Sequence, residues 1–423
     1  MRRTQAGSSR RGDFVASWFA KSPRALALAL VALLLFSLAG CGSSDGSSGG
    51  NSSPSSGSGY VDWPFFGRIP ERTHYLRAGE RALDPPLKQA WSINTHALIE
   101  FPPAIHNGVA YVINKYGNGK AVRLRDRKVL WELNVRPSNK GKPNFLTAPV
   151  YYEGAVYGAF VDGHVAAGDA ETGKKLWVRK LNAHLESSPL AFDGLLYLGT
   201  DTTNLVALRA SDGKTVWSFN SPGAIKASPS YDDGRVFDAD YQSGVFALDA
   251  KTGKPIWRTN TSKVPPFGRG GFFSSPAVAF GHVYVARDDG TVFALDEKTG
   301  KVDWSFATGD LVYGSPAVAR VPGTPPTVYI GSENGKFFAL DARTGKPRWR
   351  YNVGGPIPGT AVVIGHTVYT SSFKTDETIG IDVRTHRPTF HIKQAGYTPM
   401  ISDGKRLYLI GLFDLIGLEP AKR

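Results

Sequence analysis

The sequence predicts an all-β protein, an eight-bladed β-propeller of four-stranded antiparallel blades whose last blade is closed by an N-terminal strand. Three observations carry this expectation. The 423 residues include 48 Gly, 23 Phe, 17 Tyr and 9 Trp but only 2 Met, a mixture that favours short strands and tight turns over helices. One unit ending in Ala-x-Asp-x-x-Thr-Gly-Lys-x-x-Trp recurs along the chain, the mark of a repeat architecture. Its terminal aromatics fall at Trp91, Trp131, Trp177, Trp217, Trp257, Trp304, Trp349 and Phe390, 40 to 47 residues apart. With 41% apolar and 20% charged residues, the chain supports a packed core and is not wholly disordered. A single cysteine excludes an intrachain disulfide and any multi-Cys metal cluster.

The amino terminus reads as an address. Arg2, Arg3, Arg10, Arg11, Lys21 and Arg24 outweigh Asp13 before the apolar run Ala25–Phe36, which closes with Ser37-Leu38-Ala39-Gly40-Cys41. Basic, apolar, then small residues is the order of an export signal, and the run is short of the roughly 20 residues that span a bilayer. Leu38-Ala39-Gly40-Cys41 resembles the lipobox of bacterial lipoproteins, which implies cleavage before Cys41 and acylation of its sulfur. An uncleaved anchor and ordinary cleavage beside an idle cysteine stand as the other readings. Ser9-Arg10-Arg11 leaves the export route open between the general secretory and twin-arginine systems. Residues 1–40 are thus expected to be a lipoprotein signal peptide and 41–59 a tether. Fifteen of the eighteen residues 42–59 are Ser or Gly, giving a flexible root-mean-square reach of roughly 21–25 Å. The folded domain is expected over 60–423.

From Tyr60 onward the repeat takes over. Its clearest copies end in Ala167–Trp177, Ala247–Trp257, Ala294–Trp304 and Ala339–Trp349, with Ala207–Trp217 a mild variant. Each copy reads as four strands, for example SSPAVAF, HVYVARD, TVFALDE and VDWSFAT. Lys298-Thr299-Gly300-Lys301 supplies the left-handed Gly of a hairpin loop with a bulge. Turns such as Phe192-Asp193-Gly194 and Ser402-Asp403-Gly404 join the first two strands. A lone sheet of this size leaves an apolar face and two open edges, and radial stacking removes both problems. The ends settle the blade number. Residues 396–420 hold three strands, and an orphan fourth, Leu87–Asn94 with Trp91, precedes the first full unit; pairing them completes blade eight.

The repeat signature resembles the tryptophan-docking repeat of the pyrroloquinoline quinone (PQQ) propeller family, in which each Trp packs on a neighbouring blade. Trp63-Pro64-Phe65-Phe66-Gly67 and Arg72-Thr73-His74-Tyr75 resemble that family's lead-in. The resemblance specifies fold but not function, because the superfamily includes quinone dehydrogenases and cofactor-free scaffolds. Its dehydrogenases hold the quinone on a Trp, often beneath a disulfide of adjacent cysteines, with Ca²⁺ on Glu, Asn and Asp oxygens. Here Trp18 belongs to the signal, Trp63 to the lead-in and the other seven to the repeat, so no indole is spare for the quinone unless Trp63 is borrowed. The vicinal disulfide is impossible, and Glu186, Asn144 and Asp310 are calcium candidates without a spacing that selects them. Neither PQQ nor calcium is therefore expected, and no catalytic residue is assigned.

Other chemistries have weaker signals. His164, His282 and His366 follow a turn Gly, a structural slot, and the nine histidines include no metal-binding pair at helical spacing. Asp238-Ala239-Asp240-Tyr241-Gln242-Ser243-Gly244 approaches a calcium loop, but its Gly comes one residue late for an EF-hand. Asp249, Asp296 and Asp341 recur with the turn and are expected to fasten its backbone.

The formal charge is +14. The first forty residues hold +5 of it, and the rest lies dispersed without a Lys/Arg block, so no nucleic-acid partner is expected. The loops from each outer strand to the next inner strand share one face and carry Arg136, Lys140, Lys142, Lys180, Lys226, Lys263, Arg269 and Lys393 against Glu100, Glu186 and Asp310. Two of these loops, Arg136–Thr147 and Thr261–Phe272, are long, which makes this basic face the candidate binding surface. The expectation is a monomeric, exported, lipid-anchored scaffold on the extracytoplasmic face of a membrane, resembling BamB-type outer-membrane assembly lipoproteins. It would bind the membrane through Cys41 and a protein of the envelope through its loops. A PQQ-dependent dehydrogenase and a sensor with a small ligand in the axial channel are the alternatives.

Overall fold

The computed structural model describes residues 59–77, 83–99, 101–134, 147–266, 268, 270–394, 400–411 and 413–421. The expected signal, Cys41 and residues 42–58 lie outside them.

Eight antiparallel meanders stand around an axis, each running from an inner to an outer strand. Blade 3 is typical: Leu190–Phe192, Leu195–Gly199, Asn204–Arg209 and Thr215–Asn220. Blade 8 closes the ring as the sequence predicts. Met400–Ser402, Leu407–Ile410 and Asp414–Pro420 come from the carboxyl end, and Leu87–Asn94 pairs antiparallel with Asp414–Pro420, from Leu87↔Pro420 to Asn94↔Asp414. Among the described residues the one helical element is the 3₁₀ turn Thr261–Lys263.

The turns obey local chemistry. Asp193 (φ 48°) and Gly194 (φ 75°) both occupy the left-handed region, as a two-residue hairpin loop requires. In the turn between third and outer strands of blade 4, Asp249 Oδ1 accepts from Thr252 N (2.8 Å) and Thr252 Oγ1 (2.6 Å). Asp296 and Asp341 fasten their own turns in the same way. Each group is an acceptor placed where a turn leaves an N–H unpaired.

Adjacent blades are joined through the outer-strand indoles. Trp131, Trp177, Trp217, Trp257 and Trp304 each donate Nε1–H to a backbone carbonyl of the following blade, of Ala170, Ala210, Ala250, Glu297 and Ala342, at 2.8–3.0 Å. The ring lies over the neighbour's turn glycine: a Cβ at Gly253 (φ 69°) would stand 2.6 Å from the Trp217 ring. Trp349 instead stacks on His386 of blade 7 at 5.3 Å. Phe390 and Trp91 pack on tyrosines of their own blades, Tyr369 and Tyr408. The seam between blades 1 and 2 retains a cavity of about 20 Å³, lined by Trp131, Gly158, Ala166 and Gly168 among others. Blade 2 there has Ala166 and Gly168 where blade 3 has Val206 and Leu208.

One feature departs from uniform four-stranded blades. Blade 7 carries a fifth strand, Tyr75–Leu76, parallel to Val363–Ile364. It belongs to the lead-in, whose course determines what the hub can hold.

Candidate functional site

The segment 61–76 runs around the inside of the ring, on the side where the first and second strands of each blade turn. Val61 N–H donates to Asp403 O of blade 8 at 2.7 Å. Trp63 exchanges backbone bonds with Ile105 of blade 1. Inner-strand N–H groups then donate to successive carbonyls of the segment: Tyr151 to Pro64, Tyr231 to Pro70, Val278 to Glu71, Val318 to Thr73 and Val363 to His74, at 2.7–2.9 Å. An inner strand is a sheet edge with unpaired polar groups, and this belt satisfies them in turn. Trp63, Phe65, Phe66, Arg72 and His74 are buried within it. The belt is bent to follow the ring, and Arg68, Arg72 and His74 take positive φ of 71°, 53° and 51°, conformations that non-Gly residues adopt only when their surroundings hold them.

Arg72 is the belt's polar centre and is fully buried. Its Nε donates to Pro229 O at 2.5 Å and Nη2 to Ser188 O at 3.4 Å, and its guanidinium lies 5.8 Å from the centre of the Phe66 ring. Burial lowers its pKa to about 9, with Asp238 opposing the shift, so it remains a cation at neutral pH. Asp238, also fully buried, accepts from Ala239 N at 2.8 Å through Oδ1. Burial pushes its carboxyl well up and Arg72 pulls it back. His74, edge-on to Phe66, is held neutral with a pKa near 3, again chiefly by burial.

Beyond the belt, hydroxyls tie the inner strands together. The N–H groups of Ser188, Ser228, Ser275 and Ser315 donate to the side-chain oxygens of Ser228, Ser275, Ser315 and Thr360, one blade further on, at 2.9–3.3 Å. The opposite end of the hub is a mouth lined by the residues four positions before each inner strand. In blades 3 to 6 these are Glu186, Lys226, Phe273 and Tyr313. Lys226 Nζ lies 2.9 Å from Glu186 Oε1 and 5.1 and 5.4 Å from the ring centres of Tyr241 and Phe273. Phe273 meets Tyr241 and Tyr313 edge-on at 4.9 and 5.6 Å. Asp288 and Glu333 stand on turns at the same level; burial, then Asp310, raises the Glu333 carboxyl to about 7.

The sequence-predicted binding residues fare unevenly. Arg136, Lys140, Lys142 and Arg269 lie outside the described residues. Lys263 is exposed at the end of the 3₁₀ turn. Lys226 is an ion-paired, aromatic-capped lysine in the mouth rather than an exposed cation. Lys393 pairs with Glu377, and Lys180 donates to Asp162 O. On the described part of this face the turns between second and third strands carry seven acidic residues against three basic ones, so its chemistry is more acidic than the loop count implies. His164, His282 and His366 each face a carboxylate, Asp162, Asp303 and Asp84 respectively, and do not converge. Asp240, from the calcium-like stretch, accepts from Ser221 Oγ, the N–H groups of Gln242 and Gly244, and Arg258 Nη2, a donor shell that fixes the turn. Sequence reasoning missed Arg72, Tyr241 and Phe273. The available signal was Asp238, at a strand position where other blades have Leu198, Val285, Ile330 and Leu409.

A PQQ and calcium seat does not fit these residues. Five indoles are committed to neighbouring blades at the outer strands. Of the calcium candidates, Glu186 is ion-paired with Lys226. Asp310 Oδ1 accepts from its own neighbour, Leu311 N–H, and Asn144 lies outside the described residues. Among the described residues no three His, Cys, Asp or Glu side chains gather closely enough to hold a metal ion.

The sequence profile of a family described as outer membrane protein assembly factor BamB matches residues 161–268 and 245–411, together more than half of the chain. BamB from Moraxella catarrhalis has a similar structure, with a TM-score of 0.63 at 18% identity over 80% of this chain and 99% of that one. So does the quinohemoprotein alcohol dehydrogenase of Comamonas testosteroni, with a TM-score of 0.68 at 15% identity over 86% and 81%. At these identities the likeness is one of fold. Among curated proteins, the dehydrogenase subunit of the quinone alcohol dehydrogenase of Komagataeibacter europaeus is 33% identical over 125 residues, 27% of this chain and 17% of the relative. Its counterpart in Gluconobacter oxydans is 31% identical over 27% and 16%. The chain thus spans only a small part of the curated relatives it matches.

Proposed function

The chain belongs to the family of the outer membrane protein assembly factor BamB, and from that premise we propose that it is an exported, lipid-anchored, monomeric propeller that scaffolds protein partners in the cell envelope. The observation that carries this reading is the occupied hub. The belt fills the ring from one side, and the mouth on the other is built from aromatics and a caged ion pair. Rigid aromatic side chains at a rim are the usual anchors of protein interfaces, and loops on a rigid scaffold are their usual seat. Among the described residues Lys226 of the mouth is ion-paired with Glu186 and packed against Tyr241 and Phe273, an arrangement suited to binding, and binding is what we propose.

Crosslinking in membranes followed by purification of the propeller is expected to recover an envelope protein. The Phe273→Ala/Tyr313→Ala variant should cut recovery at least tenfold; full recovery would place the interface elsewhere. Cys41→Ala should abolish the incorporation of labelled palmitate into the protein, and equal labelling of the variant would remove the lipid anchor from the reading. The matched quinone dehydrogenase subunits motivate a second reading, a PQQ-dependent dehydrogenase. Titration of the purified protein with PQQ and Ca²⁺, read by quinone absorbance and dye reduction with alcohols, decides it: saturable binding with turnover would replace the scaffold proposal.

A further inference from the structure

The propeller's positive charge is not dispersed in space. The seven turns between third and outer strands, 124–127, 170–174, 210–214, 250–254, 297–301, 342–346 and 383–387, hold twelve exposed Lys and Arg against four acidic residues, and with the strand-end residues that open them (Arg123, Asp169, Arg209, Asp249, Asp296, Asp341 and Asp382) the balance is fourteen basic to nine acidic. The turns at the opposite, mouth end show the reverse balance described above. The repeat itself builds this belt, since the Lys after each turn Gly recurs as Lys174, Lys214, Lys254, Lys301 and Lys346. None of these but Lys214, 3.7 Å from Asp212, makes an ion pair among the described residues.

Two further observations point to what faces the belt. The chain enters the folded ring on this same side: Val61 bonds to Asp403, and Tyr60 lies under Lys405 Nζ at 3.6 Å, in the turn between the first two strands of blade 8. The folded ring is therefore joined to the sequence that precedes it at its cationic face. Beside the turns, the second or third residue of the outer strand is an exposed aliphatic in four consecutive blades: Leu130 (40% exposed), Leu176 (53%), Val216 (45%) and Ile256 (48%). The matching residues of blades 5 to 7 are Asp303, Arg348 and Thr389. Lysines with flanking aliphatics suit a headgroup layer, where the charge meets phosphate and the alkyl groups reach the acyl boundary.

We propose that this face docks on the anionic headgroups of a phospholipid bilayer, tilted toward blades 1 to 4, and turns the mouth away from the membrane. The orientation rests in part on the lipid-anchor reading, whereas the lipid affinity does not, so the two are tested apart. Full-length Cys41→Ala protein is sedimented with vesicles of phosphatidylcholine alone or with 30% phosphatidylglycerol in about 0.1 M salt. Each Lys near such a surface contributes roughly a fivefold factor in partition. Lys174→Glu/Lys214→Glu/Lys254→Glu is therefore expected to lower binding to anionic vesicles at least about 100-fold. The charge-matched triple on the mouth side, Lys263→Glu/Lys336→Glu/Lys374→Glu, should keep it within about threefold, and any basic contribution of residues 1–40 is the same in both. Equal loss in the two triples, no loss in the first, or no preference for anionic vesicles overturns the proposal. So does retention on heparin without vesicle binding, which assigns the belt to an acidic macromolecule.

Discussion

The buried pair at the hub gives the sharpest test of the belt. Arg72 and Asp238 are both fully buried, one from the belt and one from blade 4. Asp238→Leu installs the residue that blades 3 and 8 carry at that position, Leu198 and Leu409. If packing alone held the hub, this change would be neutral or stabilising. The guanidinium, however, would then lose its one carboxylate neighbour and keep only the carbonyls of Pro229 and Ser188. No hydrogen bond joins the two groups, and burial pushes the Asp238 carboxyl up while Arg72 pulls it back; where that carboxyl is ionised, losing it leaves the buried guanidinium uncompensated at a cost of about 3–5 kcal/mol, whereas replacing both partners with apolar groups is often nearly neutral. Asp238→Leu and Arg72→Met should each lower the melting temperature by about 6–10 °C, at roughly 2 °C per kcal/mol for a domain of this size. The double variant should return to within about 3 °C of the parent, a coupling of several kcal/mol. Differential scanning fluorimetry of the four proteins closes the cycle. Additive losses in the double variant would refute the argument, as would an Asp238→Leu protein as stable as the parent.

Three other outcomes follow from the same physics. Gly168→Ala should raise stability by about 0.5–1 kcal/mol, since its φ is not positive, its Cβ would make only ordinary contacts at 3.6 Å or more, and it lines the cavity between blades 1 and 2. Gly253→Ala, at φ 69° and 2.6 Å from the Trp217 ring, should cost at least about 2 kcal/mol; similar urea midpoints for the two would discredit the blade-docking geometry. The Glu333 carboxyl keeps its proton in the fold to about pH 7, against 4.5 unperturbed, so the native state binds more protons between those values. Stability must then fall as pH rises from about 4.5 to 7 and level off above. Glu333→Gln should remove its share of that slope, to which Glu71 and Glu297 also contribute, gaining about 3 kcal/mol at pH 8 and close to nothing at pH 4.5. An equal gain at both pH values would show that Glu333 is not held protonated.

What the sequence made legible was whatever the repeat states eight times. A Gly four residues past the turn Asp, with a Trp four residues later, encodes a bulged hairpin and an indole over the next blade's turn, so blade number and closure by Leu87–Asn94 could be read directly. The hub could not, because the belt occurs once. Its pairing is backbone to backbone, with carbonyls of Pro64, Pro70, Glu71, Thr73 and His74, and such bonds leave little trace in side-chain identity. Charge was misjudged for a related reason. Along the chain the lysines of the turns are some forty residues apart and look dispersed, while the ring brings them to one rim. Lys226 shows the converse: it reads as a loop cation, but Glu186 and Phe273 come from neighbouring blades to enclose it.

The belt also constrains how any partner can bind. A ring of eight short inner strands would offer open edges around its axis, and an extended peptide could add to them as another strand. Here 61–76 already occupies that role, accepting the N–H groups of Tyr151, Tyr231, Val278, Val318 and Val363. A partner approaching the hub therefore meets side chains, chiefly the Lys226, Tyr241, Phe273 and Tyr313 cluster, and must gain its affinity from aromatic and charged contacts. Those contacts lie at the end of the axis opposite the point where the chain enters the ring. A bilayer held on the cationic rim and a protein held at the mouth would then not compete, and a saturating protein partner should leave the vesicle affinity unchanged. Competition between them would mean that the two surfaces are one.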